Sequence, residues 1–309
     1  MPTRQERIAG GLWGMLIGDA VGVPYEFHAP HELPPRALLE MTPPPGFPRA
    51  HARIPPGTWS DDGAQALALL DSLLTHGRLD LDDFAQRLLD WYQKGSWAVD
   101  HDVFDVGIQT RQALQNLMDG VPAHQAGPNH ERANGNGSLM RVLPLALWHT
   151  GADADLVHAA HQQSLVTHGH LRAQVCCALY CLWARRILDE VPHPWTTAVA
   201  SLRDIYRPDS PAAHELNTHI RPDDPPSGKG GGYVVDCLNS ARLALEETTY
   251  EEVIKAAIAL GDDTDTTACV AGGLAGLGEG VGAIPARWLN GLRGKELVQP
   301  LLEKLSQNK

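Results

Sequence analysis

The residues best equipped for chemistry in this chain are oxygen donors crowded at two points. In Gly261-Asp262-Asp263-Thr264-Asp265-Thr266-Thr267, three aspartates and three threonines fall in six residues, and a small-residue apolar stretch follows from Ala268. Far upstream, Ser60-Asp61-Asp62 also opens an apolar stretch. Hard divalent cations take carboxylate, hydroxyl and water oxygens and need neither Cys nor His. Ser60, Asp61 and Asp62 offer three such oxygens, and Asp263, Asp265 and Thr266 offer three more. Brought together, they would form a cation site able to position a substrate and activate water. Each cluster also has a plainer explanation, because Ser60 suits an N-cap and acidic residues in a first turn suit the helix dipole. The likeness of the two clusters, and the glycine-rich helices beside them, bring the metal explanation level with the cap on physical grounds.

Other candidates are more scattered. Glu26 stands between Tyr25 and Phe27; burial there raises a carboxyl pKa unless a cation is near. Asp19 lies in an apolar stretch, where hydrogen-bonded structure is its simplest role. Asp105 reads as the N-cap of a helix over 105–119. Asn134-Gly135-Asn136-Gly137-Ser138 is a Gly-rich turn that delivers a helix start with Ser138 as cap. Backbone amides at such a point suit an anion. No Gly-Lys-Ser/Thr follows and no strand precedes, so this is neither a P-loop nor a dinucleotide fingerprint. His168 and His170 lack a third ligand at zinc-like spacing and read as loop histidines, one of them facing a ligand.

Helices must position these groups. Gly10, Gly14, Gly18 and Gly22 recur every four residues and so share one side of a helix over 6–23. Gly272, Gly273, Gly276 and Gly278 follow the second acidic cluster, which suggests packing of glycine face on glycine face. Residues 28–57 hold nine prolines and form a long loop, either a lid or an inert excursion. Helical patterns continue over 60–74, 80–94, 105–119, 139–147, 153–166, 170–189, 233–247, 250–260, 268–277, 285–292 and 294–306. Residues 207–232 read as a flexible loop. Hairpin signals, internal repeats and a dividing linker do not stand out. The expectation is an all-α fold in a single domain spanning 1–309.

Composition narrows the partners. The 309 residues are 43% hydrophobic and 20% charged, with a formal charge of −12. No dense Lys/Arg run appears, which argues against general nucleic-acid or anionic-membrane binding. An anionic substrate would need metals, backbone amides or helix N-termini to receive it. No apolar run approaches the ~20 residues of a membrane helix, and the N-terminus lacks the pattern of a signal peptide. The five cysteines are odd in number and sit in apolar helical contexts, which points to free thiols and a cytoplasmic protein.

Taken in order, a set of motifs resembles the ADP-ribosylglycohydrolase family. They are Gly18-Asp19-Ala20-Val21-Gly22-Val23-Pro24-Tyr25-Glu26-Phe27, Trp59-Ser60-Asp61-Asp62, Gly135-Asn136-Gly137-Ser138-Leu139-Met140-Arg141, Thr167-His168, Gly232-Tyr233-Val234-Val235 and Gly261 to Thr266. The resemblance implies an all-α orthogonal multi-helix bundle with two Mg²⁺ or Mn²⁺ ions. Their ligands would be Ser60, Asp61, Asp62, Asp263, Asp265 and Thr266. Glu26 would be the catalytic glutamate, with Asp105 near the reacting ribose. Asp19, Gly135, Asn136, Gly137, Ser138, His168, Gly232 and Tyr233 would bind the substrate. That substrate would be an ADP-ribosylated protein or an ADP-ribose-containing small molecule, cleaved at its glycosidic bond. Two departures stand out: Gly63 replaces a family Thr, and Asp262 stands where the family has Gly. The alternatives are a hydrolase of another nucleoside or phosphate substrate on the same metals, and a non-catalytic ADP-ribose-binding or structural relative. The resemblance leaves the oligomeric state open.

Overall fold

The computed structural model describes residues 1–307. Its α-helices, in order, begin with α1 (Arg4–Gly22), α2 (Asp61–His76), α3 (Leu81–Lys94), α4 (Ile108–Met118) and α5 (Leu143–Trp148). There follow α6 (Asp153–Leu165), α7 (Leu171–Leu188), α8 (Pro194–Ile205), α9 (Pro211–His214) and α10 (Val234–Ala244). The last four are α11 (Tyr250–Ile258), α12 (Thr264–Glu279), α13 (Ala286–Gly291) and α14 (Lys295–Gln307). Among the described residues the only strand-like pairing is one antiparallel bridge, between Gly135 and Tyr233. The fold is all-α, as the helical periodicity suggested. One apolar core runs from Ile8 on α1 to Leu305 on α14, and a small separate cluster joins Val23, Ile54 and Phe104. All five cysteines are buried and free. Among the described residues no helix is long and apolar enough to cross a membrane.

The central contact is α1 against α12, antiparallel and glycine to glycine. A Cβ on Gly10 would lie 2.2 Å from the Gly276 carbonyl oxygen, and one on Gly18 would lie 2.1 Å from that of Ala268. Gly14 and Gly272 approach each other's carbonyls reciprocally at 2.5 Å. Any side chain would wedge the helices apart. Each glycine costs about 1 kcal/mol of helix propensity, and the close backbone packing offsets that cost. The register ends with Gly22 against Asp265, whose Cα would be 2.4 Å from an added Cβ. Thr264 Oγ1 also donates to the Gly22 carbonyl at 2.8 Å. The glycine face of α1 therefore sets where the acidic start of α12 sits.

Some elements depart from the sequence expectation. The helix expected over 105–119 begins only at Ile108, with Gly107 as N-cap, so Asp105 does not cap it. The helix expected from 139 begins at Leu143, so Ser138 does not cap it, and the Gly-rich turn at 134–138 does not abut a helix N-terminus. The stretch 207–232, expected to be a flexible loop, contains α9 and a π-helical turn over Glu215–Ile220. There Ser210 caps through the Ala213 amide, and Leu216 and Ile220 are buried. Helix α8 lies outside the expected helices although Trp195, Ala198, Val199 and Leu202 keep helical spacing; it starts with Pro at its first position and buries Ala198, Val199 and Leu202. The Pro-rich stretch 28–57 forms no α-helix and holds two short 3₁₀ turns, Pro30–Glu32 and Arg36–Leu38.

Candidate functional site

The two acidic helix starts meet, and α1 aligns both. Fully buried Asp19, near the end of α1, accepts the Ser60 amide at 2.9 and 3.1 Å and the Gly63 amide at 2.9 Å. It thus holds the N-terminus of α2 from behind. Ser60 Oγ in turn accepts the Asp62 amide at 3.2 Å, which is an N-cap. Across the gap, Thr266 Oγ1 donates to Asp62 Oδ1 at 3.5 Å. Asp61 accepts from Gln65 Nε2 at 2.9 Å, and Gln65 Oε1 accepts from the buried Arg141 guanidinium at 2.8 Å. Burial presses the Arg141 pKa down to about 10. Gln65 and Arg141 thus fix Asp61 from below, two residues that no local pattern marks as paired.

The second start is held by turns. Asp262, at φ 55, donates its amide to the His28 carbonyl at 2.8 Å, and its own carbonyl accepts from Phe27 at 2.7 Å. This docking sets Glu26 beside Asp263. Asp262 itself is exposed, and its left-handed backbone is the reason a Gly suits the position. The Asp263 amide donates to the Gly230 carbonyl at 2.9 Å, and Asp263 Oδ2 accepts from Asn136 Nδ2 at 2.9 Å. The Asn136 amide donates to the Gly232 carbonyl at 3.0 Å, so the two Gly-rich turns zip together. Gly63, the other departure, aims its missing Cβ at Leu16 and Trp59, at 2.7 and 2.8 Å, into packed side chains.

Between these elements lies a cavity of about 380 Å³, large enough for a small-molecule ligand. Asp61, Asp62, Asp263 and Thr266 form its acidic end. Gly135, Asn136, Gly137, His168 and Gly232 line one wall. Glu26, Asp105, Phe27 and Ile108 line another, with Phe27 and Ile108 largely exposed at the rim. Only glycine fits at 137, where a Cβ would lie 2.7 Å from His168 Cε1. The buried His168 pairs Nδ1 with Thr167 Oγ1 at 2.8 Å, and burial lowers its pKa to about 3. It is therefore a neutral ring.

Three expected substrate contacts lie off this cavity. Asp19 serves the α2 amides. Ser138 turns inward, where its hydroxyl accepts from Ser164 Oγ at 2.8 Å. Tyr233 lies on an adjoining shallow depression with Glu131 and Arg132, its hydroxyl 3.3 Å from Arg172 Nη1. Among the expected metal ligands, Ser60 and Asp265 sit just beneath the cavity surface rather than on it. Asp105 does reach the cavity, from a left-handed residue at φ 55.

Electrostatically the site is unbalanced. Burial, followed by Asp105 and Asp263, raises the Glu26 pKa to about 11. Asp61, Asp62 and Asp265 are held well above the normal range, by burial first and then by neighbouring carboxylates, foremost Asp105 for Asp61, Asp19 for Asp62 and Glu26 for Asp265. Asp105 is raised chiefly by burial. Both oxygens of Asp265, and Oδ2 of Asp62, are buried without a hydrogen-bond donor; Asp265 approaches the Asp105 carboxyl, with which only a shared proton makes a hydrogen bond. One carboxylate oxygen each from Glu26, Asp263 and Asp265 lies within 4.8 Å of the others. A bare carboxylate converging with two others in this way fits the donor set of a hard cation. Sequence reasoning missed several neighbours, Gln109 and Thr110 on the cavity wall among them. His51, from the Pro-rich loop, places Nε2 2.6 Å from Glu26 Oε2, and no spacing signal marks it.

The class that this geometry defines is an all-α enzyme with an acid-floored, ligand-sized pocket. The chain belongs to the ADP-ribosylglycohydrolase family, whose model it matches over residues 1–309, and it is a glycosidic-bond hydrolase of that family. It is 32% identical to the ADP-ribosylarginine hydrolase Tri1 of Pseudomonas putida (strain GB-1) over 304 residues, covering 97% of this chain and 78% of that one. It is 27% identical to the ADP-ribosyl-[dinitrogen reductase] glycohydrolase of Rhodospirillum rubrum, covering 94% and 92% of the two chains. A solved ADP-ribosylglycohydrolase-related protein complex superposes with a TM-score of 0.80 at 31% identity, covering 99% and 98%.

Proposed function

We propose that this protein releases ADP-ribose from an acceptor with two Mg²⁺ or Mn²⁺ ions held by Ser60, Asp61, Asp62, Asp263, Asp265 and Thr266. The observation that carries this reading is Asp265, whose two buried oxygens have no partner. A buried ionised carboxylate without compensation is strongly unfavourable, so Asp265 would ionise only with a cation beside it, and its raised pKa supports a cation site there. When bound, the ions supply positive charge for ribose hydroxyls and lower the pKa of water.

The chain's own residues supply the rest. The Gly135–Gly137 backbone, Asn136 and the neutral His168 line the wall that would receive the diphosphate, without adding charge. Glu26 and Asp105 face the cavity together and would handle the proton of the attacking water. Water oxygen bonds to the anomeric carbon while the bond from that carbon to the acceptor breaks. The acceptor leaves with the electron pair and takes up a proton. Arginine is the first acceptor to test, because the Pseudomonas relative is named for ADP-ribosylarginine. Free buried cysteines suit a reducing compartment, and we place the reaction in the cytoplasm.

The test is ADP-ribose release from arginine- and serine-linked ADP-ribosyl peptides and from small ADP-ribosyl compounds, with Mg²⁺ and with EDTA. Release from at least one acceptor, abolished by EDTA, is expected. The absence of release from every acceptor overturns the proposal.

A further inference from the structure

A catalytic carboxylate needs one oxygen held and the other free to face the reacting centre. Glu26 follows the turn at Val23–Tyr25 and precedes Phe27, at φ 63. Its backbone is fixed by the docking of Phe27 onto Asp262, but this does not fix its side chain. The chain then runs out through the Pro-rich loop and comes back. The Ala50 amide donates to the Pro24 carbonyl at 3.0 Å, and the next residue is His51.

Several contacts seat His51. Its ring lies between Phe27 and Phe104, with centroids at 5.6 and 5.0 Å. Phe104 belongs to the small cluster with Val23 and Ile54, so the loop carries its own apolar anchor. Arg49 donates to the carbonyls of Ala52 and Ile54, at 2.7 and 3.4 Å, and Arg53 pairs with Asp102. So seated, His51 Nε2 shares a hydrogen bond of 2.6 Å with Glu26 Oε2 and lies 3.9 Å from Asp105 Oδ1. His51 does not line the cavity, so it acts through Glu26.

We infer that His51 is a positioning residue and its loop a strap: it grips one oxygen of Glu26 and so presents the carboxylate to Asp263 and Asp265. The inference rests on the proposed hydrolase reading for its kinetic arm, while its structural arm stands apart from that reading. A glutamine side-chain amide reaches about as far as Nε2 and can donate or accept there. An asparagine reaches only to the Nδ1 position.

The experiment compares H51A, H51N and H51Q with wild type in two assays. The first is ADP-ribose release with Mg²⁺. The second is tryptic nicking after Arg49 and Arg53, which flank His51. In H51A and H51N, kcat is expected to fall about 10- to 100-fold with KM nearly unchanged, as for lost outer partners of a catalytic group. H51Q is expected to recover most of the rate. Nicking accelerates in H51A and stays slow in H51Q. Unchanged kcat in H51A overturns the inference, as does an equal loss in H51Q and H51N, which would assign the effect to ring packing. If wild type releases no ADP-ribose, the hydrolase reading fails by itself. Nicking then decides the strap alone, and equal rates in H51A and wild type overturn it.

Discussion

The two acidic helix starts look alike in sequence and differ in how their charges are met. At the start of α2, Asp19 and the Ser60 hydroxyl take the free amides, while Gln65 and Thr266 partner Asp61 and Asp62. Capping explains most of that cluster. At the start of α12, Asp263 makes no side-chain cap and Asp265 has both oxygens buried and bare. Capping explains almost none of it. A carboxylate at a helix start is thus a cap or a ligand according to where its lone pairs go. The α12 start carries the larger unfilled demand, since at the α2 start only Asp62 Oδ2 is bare.

The largest effect expected from this difference is at Asp265. D265N removes a carboxyl whose ionised form is uncompensated, so the metal-free protein gains melting temperature at alkaline pH. It also loses the extra stability conferred by Mg²⁺, and activity falls on the order of 10³-fold. D19N, at an equally buried carboxylate that is fully used by amides, has the opposite sign in metal-free protein and costs about 1–2 kcal/mol. Thermal melts with and without Mg²⁺ read both variants. An unaltered Mg²⁺ response in D265N, or a stabilised D19N, would remove the distinction between the two starts.

The next effect is on pH. Glu26 is raised to about 11 and Asp19 to about 7, and Asp61, Asp62 and Asp265 are also raised. A raised folded pKa means that the folded protein holds more protons than the unfolded chain, so stability falls as pH rises from the ordinary carboxyl range, about pH 4, up to these values. In EDTA the melting temperature should drop between about pH 5 and about pH 8. Divalent cation should flatten the slope by neutralising the carboxylates. A metal-free melting temperature that is flat or rising over that window contradicts the picture of uncompensated charge.

The smallest effect is at Asp262, the exposed acid within the bare cluster. D262G relieves a left-handed residue but adds unfolded-state freedom, so stability should stay within about 1 kcal/mol of wild type. Turnover should not change. A large loss of kcat in D262G would draw this carboxylate into the reaction.

Much of the site was legible because it rests on local periodicity and residue type. Glycines four apart must share a helix face, and two such faces in one chain invite each other; α1 and α12 pack in that way. Residue types were also a sound guide to the cavity, since Glu26, Asp61, Asp62, Asp263, Thr266, Gly135 and His168 all line it. Local rules failed where a polar residue had two local uses. Asp105 and Ser138 each stand ahead of a helical pattern and so read as caps. Yet α4 and α5 start later, at Ile108 and Leu143, and these side chains face the cavity and the interior.

By itself, then, the sequence determined the helical class, the glycine contact of α1 with α12, and the two clusters of hard oxygen donors. Only the tertiary structure decided which carboxylates are satisfied and which are bare, and that His51 returns from the Pro-rich loop to Glu26. The reason is physical. Helix faces and starts follow from neighbours within a turn or two. Burial and the allotment of hydrogen bonds depend on residues far apart in the chain, and these meet only when the whole core has closed.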